Sequence, residues 1–487
     1  MQKLWRMRLQ MILVLVLMNF SLTPPSHGFV TQRPNFIFIL TDDLSWNLIQ
    51  FMPTVQKMQK EGITFKNYFV TDSLCCPSRT SIFTGKFPHD SGVFTNNGAD
   101  GGYNAYLKRG NDQQTFAVKL QEAGYRTALL GKFLNGYLPE SNGAAHGWSD
   151  WVVGGKAYAE FNYTLNNNGQ TEVHGNQPKD YLTDVLSKHA MEFLKMAAST
   201  PERPFFLEIA TFAPHGPFTP APRHSQEFPQ LKYPHTPAFA ARAFGQDVTW
   251  LKNTPPLTAA DRKLMRENFH KRAQAVLAVD EMIAQLQATL KANGLEQNTF
   301  IIFSSDNGYH MGEHSLFQGK QTAFDTDIRV PLVITGPNVA KGLIREEVTQ
   351  NIDLCPTFTT LAGAQTPNTV NGYPLVTLFG NESPQDWRSV ALVEHHHSGR
   401  AGFDPDAMPF EVRKINPPTY SALRSVDFLY VEYEGGEKEY HNLKTDPFEL
   451  NNTVKDLSAT ELSRLHLTLE KSQNCHSQSS CWAAQHW

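Results

Sequence analysis

The chain has 487 residues, a formal net charge of -4 at pH 7, 40% hydrophobic and 18% charged residues. At roughly 150 residues per domain this length suits one large or two unequal domains, each with a sizeable core. A charge so close to neutral excludes nucleic acid as the expected partner, yet leaves room for a locally basic pocket.

The chain opens with a pattern that reads as a targeting segment. Lys3, Arg6 and Arg8 form a positive start, residues 11–20 an apolar stretch, and residues 21–28 a small-residue exit containing Pro. Together, residues 1–28 read as a cleavable secretory signal. The apolar stretch is too short for a comfortable membrane span, so no stable membrane anchor is expected.

Residues 35–40, Asn-Phe-Ile-Phe-Ile-Leu, are continuously apolar after the first position, which suits a strand buried on both faces of a mostly parallel sheet. Asp42 and Asp43 follow just past its C-terminal end, the edge at which open α/β sheets carry their sites. Residues 54–61 read as a short helix and 65–70 as a second strand. Residues 114–124 have helical spacing and end on Gly124, and a strand over 127–130 runs into Gly131-Lys132.

An amphipathic helix is expected over 180–198, and the strand over 204–210 delivers Ala213-Pro214-His215-Gly216-Pro217. Residues 217–258 are rich in Pro, His and aromatics without a clean period. They form a long irregular excursion, which in a compact domain is usually functional. A long helix over 259–293, broken once, precedes a strand over 299–303 that runs into Ser304-Ser305-Asp306-Asn307-Gly308.

This alternation gives a layered α/β core over residues 29–385. After Trp387 the pattern changes to strands over 390–394, 420–424 and 428–433 and a helix over 459–472. Residues 386–487 therefore read as a smaller C-terminal α+β subdomain.

Five cysteines cannot all pair. Cys475 and Cys481 suit a local disulfide in an oxidising compartment, and Cys355 sits in an apolar stretch as a buried thiol. Cys75 and Cys76 are adjacent and do not easily bridge each other. Sequons at Asn162, Asn381 and Asn451 offer N-glycosylation sites.

Asp42, Asp43, Asp306 and Asn307 stand at two strand ends. Three carboxylates and one amide oxygen make a hard site for Ca2+ or Mg2+ rather than zinc, although each pair alone is also a common cap or turn. Arg79, two residues after Pro77, and Lys132, His215 and Lys320, each beside Gly or Pro, recur mostly at strand ends. An anionic ester needs such converging donors on its non-bridging oxygens. His310 and His314 could mimic a zinc pair on a helix, but Gly312 between them favours a loop. His395, His396 and His397 read as surface or pocket residues.

The order and spacing of these residues resemble the type I sulfatases. The match runs through Asp42-Asp43, Cys75-Cys76-Pro77-Ser78-Arg79 with Thr84-Gly85-Lys86, Gly131-Lys132, Pro214-His215-Gly216, Asp306-Asn307-Gly308 and Gly319-Lys320. Leu-Cys-Cys-Pro-Ser-Arg, Gly-Lys-Phe-Leu-Asn-Gly-Tyr and Ser-Asp-Asn-Gly-Tyr-His resemble the N-acetylglucosamine-6-sulfatase branch in particular.

The resemblance implies an alkaline-phosphatase-like fold, a large mixed sheet flanked by helices with a smaller C-terminal subdomain. It implies that a separate formylglycine-generating enzyme oxidises Cys75 to formylglycine, with Cys76 the tolerated variable position. One Ca2+ (or Mg2+) would be held by Asp42, Asp43, Asp306, Asn307 and the formylglycine. Arg79 would hold the aldehyde hydrate, and Lys132, His215 and Lys320 would contact the sulfate, with His215 or Lys320 protonating the leaving oxygen. One hydroxyl of the hydrate attacks sulfur, and the second later expels the sulfate.

One departure stands out. Many arylsulfatases carry histidine two residues after the Gly-Lys lysine, where this chain has Leu134, and Asn135 or His310 would fill part of that space. The implied activity is hydrolysis of the 6-sulfate of N-acetylglucosamine or glucosamine in glycosaminoglycans such as heparan or keratan sulfate, by a secreted or lysosomal enzyme. The alternatives are an arylsulfatase or other carbohydrate sulfatase and an endosulfatase, against which the absence of a long basic insertion counts. A phosphoesterase of the same fold would typically carry Ser or Thr as nucleophile, and a silent sugar-binding protein would require an unmodified Cys75.

Overall fold

A computed structural model describes residues 33–241, 248–397 and 417–486. The signal segment expected at residues 1–28 lies outside them. Ten strands form the main sheet: β1 Asn35–Thr41, β2 Ile63–Phe65, β3 Arg126–Lys132, β4 Asp150–Gly154, β5 Tyr163–Asn167, β6 Gln170–His174, β7 Phe205–Ala210, β8 Thr299–Ser305, β9 Leu332–Thr335 and β10 Leu343–Arg345. Their order is β10-β2-β9-β8-β1-β7-β3-β4-β5-β6. The five central strands, β8 to β4, run parallel, and antiparallel pairs flank them.

β1 lies at the centre and every residue in it is buried. Its alternate side chains feed two cores, Phe36, Phe38 and Leu40 on one face and Ile37 and Ile39 on the other. Phe36 stacks on Phe300 at 5.7 Å and meets Phe206 at 5.8 Å. Each such fully buried ring contributes roughly 1.5–3 kcal/mol. Helices α1 Pro53–Glu61, α4 Leu182–Ala198 and α5 Ala259–Ala292 cover the Ile37 face. Helices α2 Cys75–Thr84, α3 Phe116–Glu122 and α6 Leu354–Leu361 cover the Phe36 face.

The break expected in the helix over 259–293 does not occur. α5 runs 34 residues without interruption, because it contains no Gly or Pro and carries a buried apolar stripe from Met265 to Leu290. Thr258 caps it, its hydroxyl accepting from Asp261 N at 3.1 Å. The strand expected over 65–70 is also revised. It divides into β2 and a two-residue strand at Tyr68–Phe69, because Lys66-Asn67 turn away, with Asn67 Nδ2 donating to Glu346 O at 2.6 Å. The β5–β6 hairpin is an addition. Its Asn168-Gly169 turn has φ of 52° and 86°, the left-handed pair that an Asn-Gly loop favours.

A second, four-stranded antiparallel sheet follows: β11 Val390–His395, β12 Tyr420–Ser425, β13 Phe428–Tyr433 and β14 Lys438–Asn442. One face, with Ala391, Val393 and Ala422, joins the core of the main sheet. The other, with Leu392 and Leu423, packs on Leu465 and Leu469 of α7 Ala459–Gln473. Cys475 and Cys481 are joined by a disulfide before and within α8 Gln478–Gln485, while Cys75, Cys76 and Cys355 are free and buried. Asn162, Asn381 and Asn451 are all exposed.

Two carboxylic acids lie inside this frame. Glu160 Oε2 accepts from Thr183 N and Oγ1 at 3.0 and 2.9 Å, at the start of α4. Glu208, in β7, has no hydrogen-bond partner on either oxygen. Burial pushes each up to about 8. Their unfolded values lie near 4.5, so the native state holds protons that the unfolded state has lost. Their contribution to stability is full below about pH 4.5, falls as pH rises and is gone above about pH 8. Buried His314 and His395, pushed down to about 3 by burial, act oppositely on the acid side. Glu160→Gln and Glu208→Gln are therefore expected to shrink the loss of urea midpoint between about pH 5 and 8.5. An undiminished loss in both variants would rule the two acids out as its source.

Candidate active site

The parallel registers bring four strand ends to one edge. Thr41 at the end of β1 lies opposite Ser305 at the end of β8, Leu40 lies opposite Ala210 of β7, and Gly131 of β3 lies opposite Ala210. Asp42-Asp43, Asp306-Asn307, His215 and Lys132 therefore emerge together. Gly131 has φ of 102°, and a Cβ there would sit 2.0 Å from Ala210 O. Only glycine allows the close strand contact that delivers Lys132.

Consecutive strand residues point to opposite faces, so Asp42 and Asp43 would diverge on a regular strand. Asp43 instead adopts a left-handed φ of 62°, the kind of backbone strain that accumulates at functional sites. The turn is fixed by Asp43 N donating to Asp306 Oδ1 at 3.2 Å and Leu44 N donating to Ser305 Oγ at 2.9 Å.

Cys75 is the first residue of α2, and every residue of that helix is buried. Its N-terminus brings the helix's partial positive charge to whatever anion forms at position 75, while Cys76 N donates to Asn96 Oδ1 at 2.9 Å. Pro77 needs no N–H donor in this first turn. One turn on, Ser78 Oγ donates to Asp306 O, Arg79 Nε donates to Asp306 Oδ2 at 2.8 Å, and Arg79 Nη1 donates to Lys132 O at 2.9 Å. The Cys-x-Pro-Ser-Arg run thus ties α2 to the ends of β8 and β3.

Around Cys75 Sγ stand Lys320 Nζ at 2.7 Å and Asp42 Oδ1 at 3.4 Å. Lys320 Nζ also donates to Asp43 Oδ1 at 2.6 Å, and Lys132 Nζ donates to Asp42 Oδ2 at 2.6 Å. His215 Nδ1 donates to Gly216 O at 2.9 Å, which turns Nε2 toward Asp43 Oδ2 at 3.5 Å. Asp42, Asp43, Cys75 and His215 offer ligand atoms within 4.8 Å of one another.

Electrostatics separates these groups. Burial alone would raise Asp42, but Lys132, His215, Arg79 and Lys320 hold it well below the usual carboxylate range. Asp43 is lowered against burial chiefly by Lys320 and His215. Asp306 goes the other way, raised by burial and by Asp42. Lys320 is raised despite burial, chiefly by Asp43 and also by Asp42. Burial, with Asp42, pushes the Cys75 thiol up. An unmodified Cys75 is thus a neutral thiol and a poor nucleophile.

The residues fit a hard cation. Asp43 Oδ2 and Asn307 Oδ1 are buried oxygens with no hydrogen-bond partner, and Asn307 Nδ2 already bonds Asp43 Oδ1 at 2.6 Å. A divalent ion among Asp42, Asp43, Asp306 and Asn307 would satisfy both orphaned oxygens. His310 is placed beside Lys320 by its backbone pairing with Gly319, and its Nδ1 donates to Asp327 at 2.9 Å. Gly312 has φ of 108° and His314 stacks on Phe324 at 3.8 Å, so His310 and His314 lie on a loop.

Asn135 Nδ2 donates to Tyr158 OH at 3.3 Å. Tyr158 in turn lies 5.0 Å from Lys132 Nζ and 4.5 Å from the His215 ring. Tyr158 is absent from the sequence-derived set because no motif surrounds it. Asp72 is a second addition. It is fully buried, neither carboxylate oxygen has a hydrogen-bond partner, and it sits 3.8 Å from His395 Nδ1. Of the surface and pocket readings for His395, the surface one does not hold, because β11 pairs it with Tyr420 and buries it. A carboxylate three residues before Cys75 was the available signal.

The sulfatase family profile matches residues 34–364, and that of the N-sulphoglucosamine sulphohydrolase C-terminal domain matches residues 312–475. The chain is 34% identical to human N-acetylglucosamine-6-sulfatase over 91% of its own length and 85% of that protein. It is 35% identical to the extracellular sulfatase SULF-1 homolog of Drosophila melanogaster over 76% of its length, but spans only 33% of that protein. Among solved structures, a protein in complex with its substrate D-glucosamine-2-N,6-O-disulfate superposes with a TM-score of 0.75 at 25% identity, covering 91% of this chain and 97% of that one.

Proposed function

Since the chain belongs to the sulfatase family, whose members are sulfuric ester hydrolases, we propose that it removes the 6-sulfate of N-acetylglucosamine or glucosamine from glycosaminoglycans. The observation that carries this reading is the convergence on Cys75 of two lysines and a histidine on one side and the acidic cluster on the other. The similarity to N-acetylglucosamine-6-sulfatase over nearly the whole chain supports the sugar.

Asp42, Asp43, Asp306 and Asn307 would hold one Ca2+, and formylglycine at Cys75, once hydrated, would supply the oxygen nucleophile. Lys132 and Lys320 hold the non-bridging sulfate oxygens and offset their charge, which persists through the transition state. His215, with Nδ1 fixed by Gly216 O, presents Nε2 to protonate the leaving oxygen. Arg79 fixes Asp306 and the Lys132 backbone. Asn135 and His310 act beside them, Asn135 through Tyr158.

The disulfide fits an oxidising compartment, and no helix among the described residues is long and apolar enough to cross a membrane. We place the enzyme on the secretory route, in the lysosome or outside the cell, with glycans at Asn162, Asn381 and Asn451.

The test is sulfate release from N-acetylglucosamine 6-sulfate against nitrophenyl sulfate. The sugar ester is expected to have the higher kcat/KM by at least tenfold, and the reverse order would make the enzyme an arylsulfatase. His215→Ala is expected to lower kcat on the sugar ester by roughly 100- to 10,000-fold. A kcat within a few-fold of wild type would pass the acid role to Lys320.

A further inference from the structure

We infer that Arg272, from the middle of α5, is a positioning residue that fixes the turn at Asp43 together with the two neighbouring loops of the site. This rests on the reading of Asp42, Asp43, Asp306 and Asn307 as the ligands of a divalent ion.

Arg272 is 1% exposed, and the oxygens it serves carry no formal charge. Nη2 donates to Asp43 O at 2.6 Å and to Ser45 Oγ at 3.1 Å, while Nη1 is buried without a hydrogen-bond partner. For folding alone, an apolar side chain of similar volume would serve as well. The carbonyl it holds belongs to the left-handed residue of the site, Asp43 with φ of 62°. Such a conformation persists only where the surroundings over-determine it, and a charged donor on that carbonyl does so.

The same guanidinium meets the two other loops. Ser45 Oγ donates to Tyr309 O at 2.9 Å. The Tyr309 ring lies 4.5 Å from the guanidinium carbon and the Phe218 ring 5.7 Å from it, both within cation–π range. Tyr309 stands two residues after Asn307. Phe218 stands three after His215, to whose carbonyl its N–H donates at 3.0 Å. One planar group thus touches the chain that follows β1, β7 and β8.

α5 gives this group a fixed origin. Eight residues further on, about 12 Å along the helix, Asp280 accepts from Thr54 N at 2.9 Å and Val55 N at 3.1 Å at the start of α1. The stretch from Asp43 to Val55 is therefore held by α5 at both ends, with Arg272 at the end nearer the site. Lysine would keep the charge there, but neither the planar group over two rings nor the pair of N–H bonds aimed at two oxygens.

The test is calorimetric titration of Ca2+ into the chelated protein, with melting temperatures alongside, for wild type, Arg272→Lys, Arg272→Met and the control Asp280→Asn. The Ca2+ dissociation constant is expected to rise by about 10- to 100-fold in both Arg272 variants, as when support behind a metal ligand is lost. In Asp280→Asn it should stay within about threefold of wild type although the melting temperature falls. At saturating Ca2+, Arg272→Lys is expected to lose about tenfold in kcat on N-acetylglucosamine 6-sulfate with little change in KM, because Phe218 ties the guanidinium to the His215 loop rather than to the lysines. Arg272→Lys keeps the charge and the stem, and so guards against misfolding of Arg272→Met. An unchanged dissociation constant in Arg272→Lys overturns the assignment. So does an equal rise in Asp280→Asn, which would make any loosening of α5 sufficient. Wild type that binds Ca2+ yet hydrolyses no sulfate ester would instead refute the functional reading, and the Ca2+ comparison would still decide Arg272. Wild type that binds no Ca2+ overturns both the ligand set and this role.

Discussion

Cys75→Ser is expected to abolish turnover, by about ten-thousand-fold or more, while leaving the protein folded. The substitution exchanges one small buried atom at the first position of α2, and the contacts that anchor this helix, from Ser78 and Arg79 to Asp306 and Lys132, do not involve Sγ. The chemistry is what changes. Lys320 Nζ, now 2.7 Å from Sγ, would face a single hydroxyl able to accept one sulfuryl group, with no second hydroxyl on the same carbon to expel it. Intact-protein mass spectrometry after incubation with N-acetylglucosamine 6-sulfate should show either one added sulfuryl group or an unmodified dead protein. Steady turnover above one per cent of wild type would remove Cys75 from its assigned role. Peptide mass spectrometry across residues 71–86 of active wild type should find the aldehyde, and a plain thiol throughout would have the same consequence.

Chelation with EGTA is expected to remove activity and lower the melting temperature, and Ca2+ to restore both. Asp42, Asp43 and Asp306 are all fully buried, and Asp306 is already pushed up by burial and by Asp42. Three carboxylates packed together cannot all stay ionised on two lysines and an arginine that must also face a sulfate. A divalent ion relieves this, and at 100 times its dissociation constant stabilises the fold by about 2.7 kcal/mol. Asp43→Ala would remove a proposed cation ligand, and it removes the partner of Lys320 and Asn307. It is expected to cost roughly 3–5 kcal/mol, as for a broken buried pair, and its inactivity should not respond to Ca2+. A chelated wild type that keeps full activity, or an Asp43→Ala variant rescued by Ca2+, would exclude this set of ligands.

Much of the central frame is legible in the sequence, for one reason. Residues 35–40, 127–130, 204–210 and 299–303 are apolar runs that only a doubly covered parallel sheet can bury, and each stops at a polar group. Short or edge strands are not legible. β9, β10 and β14 have three to five residues each, too few for any period to show. The unbroken α5 is misjudged because its buried stripe drifts around the helix, a change of partner rather than a break.

The sequence by itself identifies the family, through the resemblance of Cys75-x-Pro77-Ser78-Arg79, Asp42-Asp43 and Asp306-Asn307 to the type I sulfatases, and the resemblance implies the reaction type. Only the tertiary structure decides how they meet. Cys75 and Lys320 are 245 residues apart and Arg79 and Asp306 are 227 apart, and their contacts exist because strand registers and one left-handed turn at Asp43 bring the ends together. Tyr158 has no local signature at all, and the Asp72–His395 pair has no more than a carboxylate close before Cys75. Their chemistry arises from burial and neighbours, and those are properties of packing rather than of order along the chain.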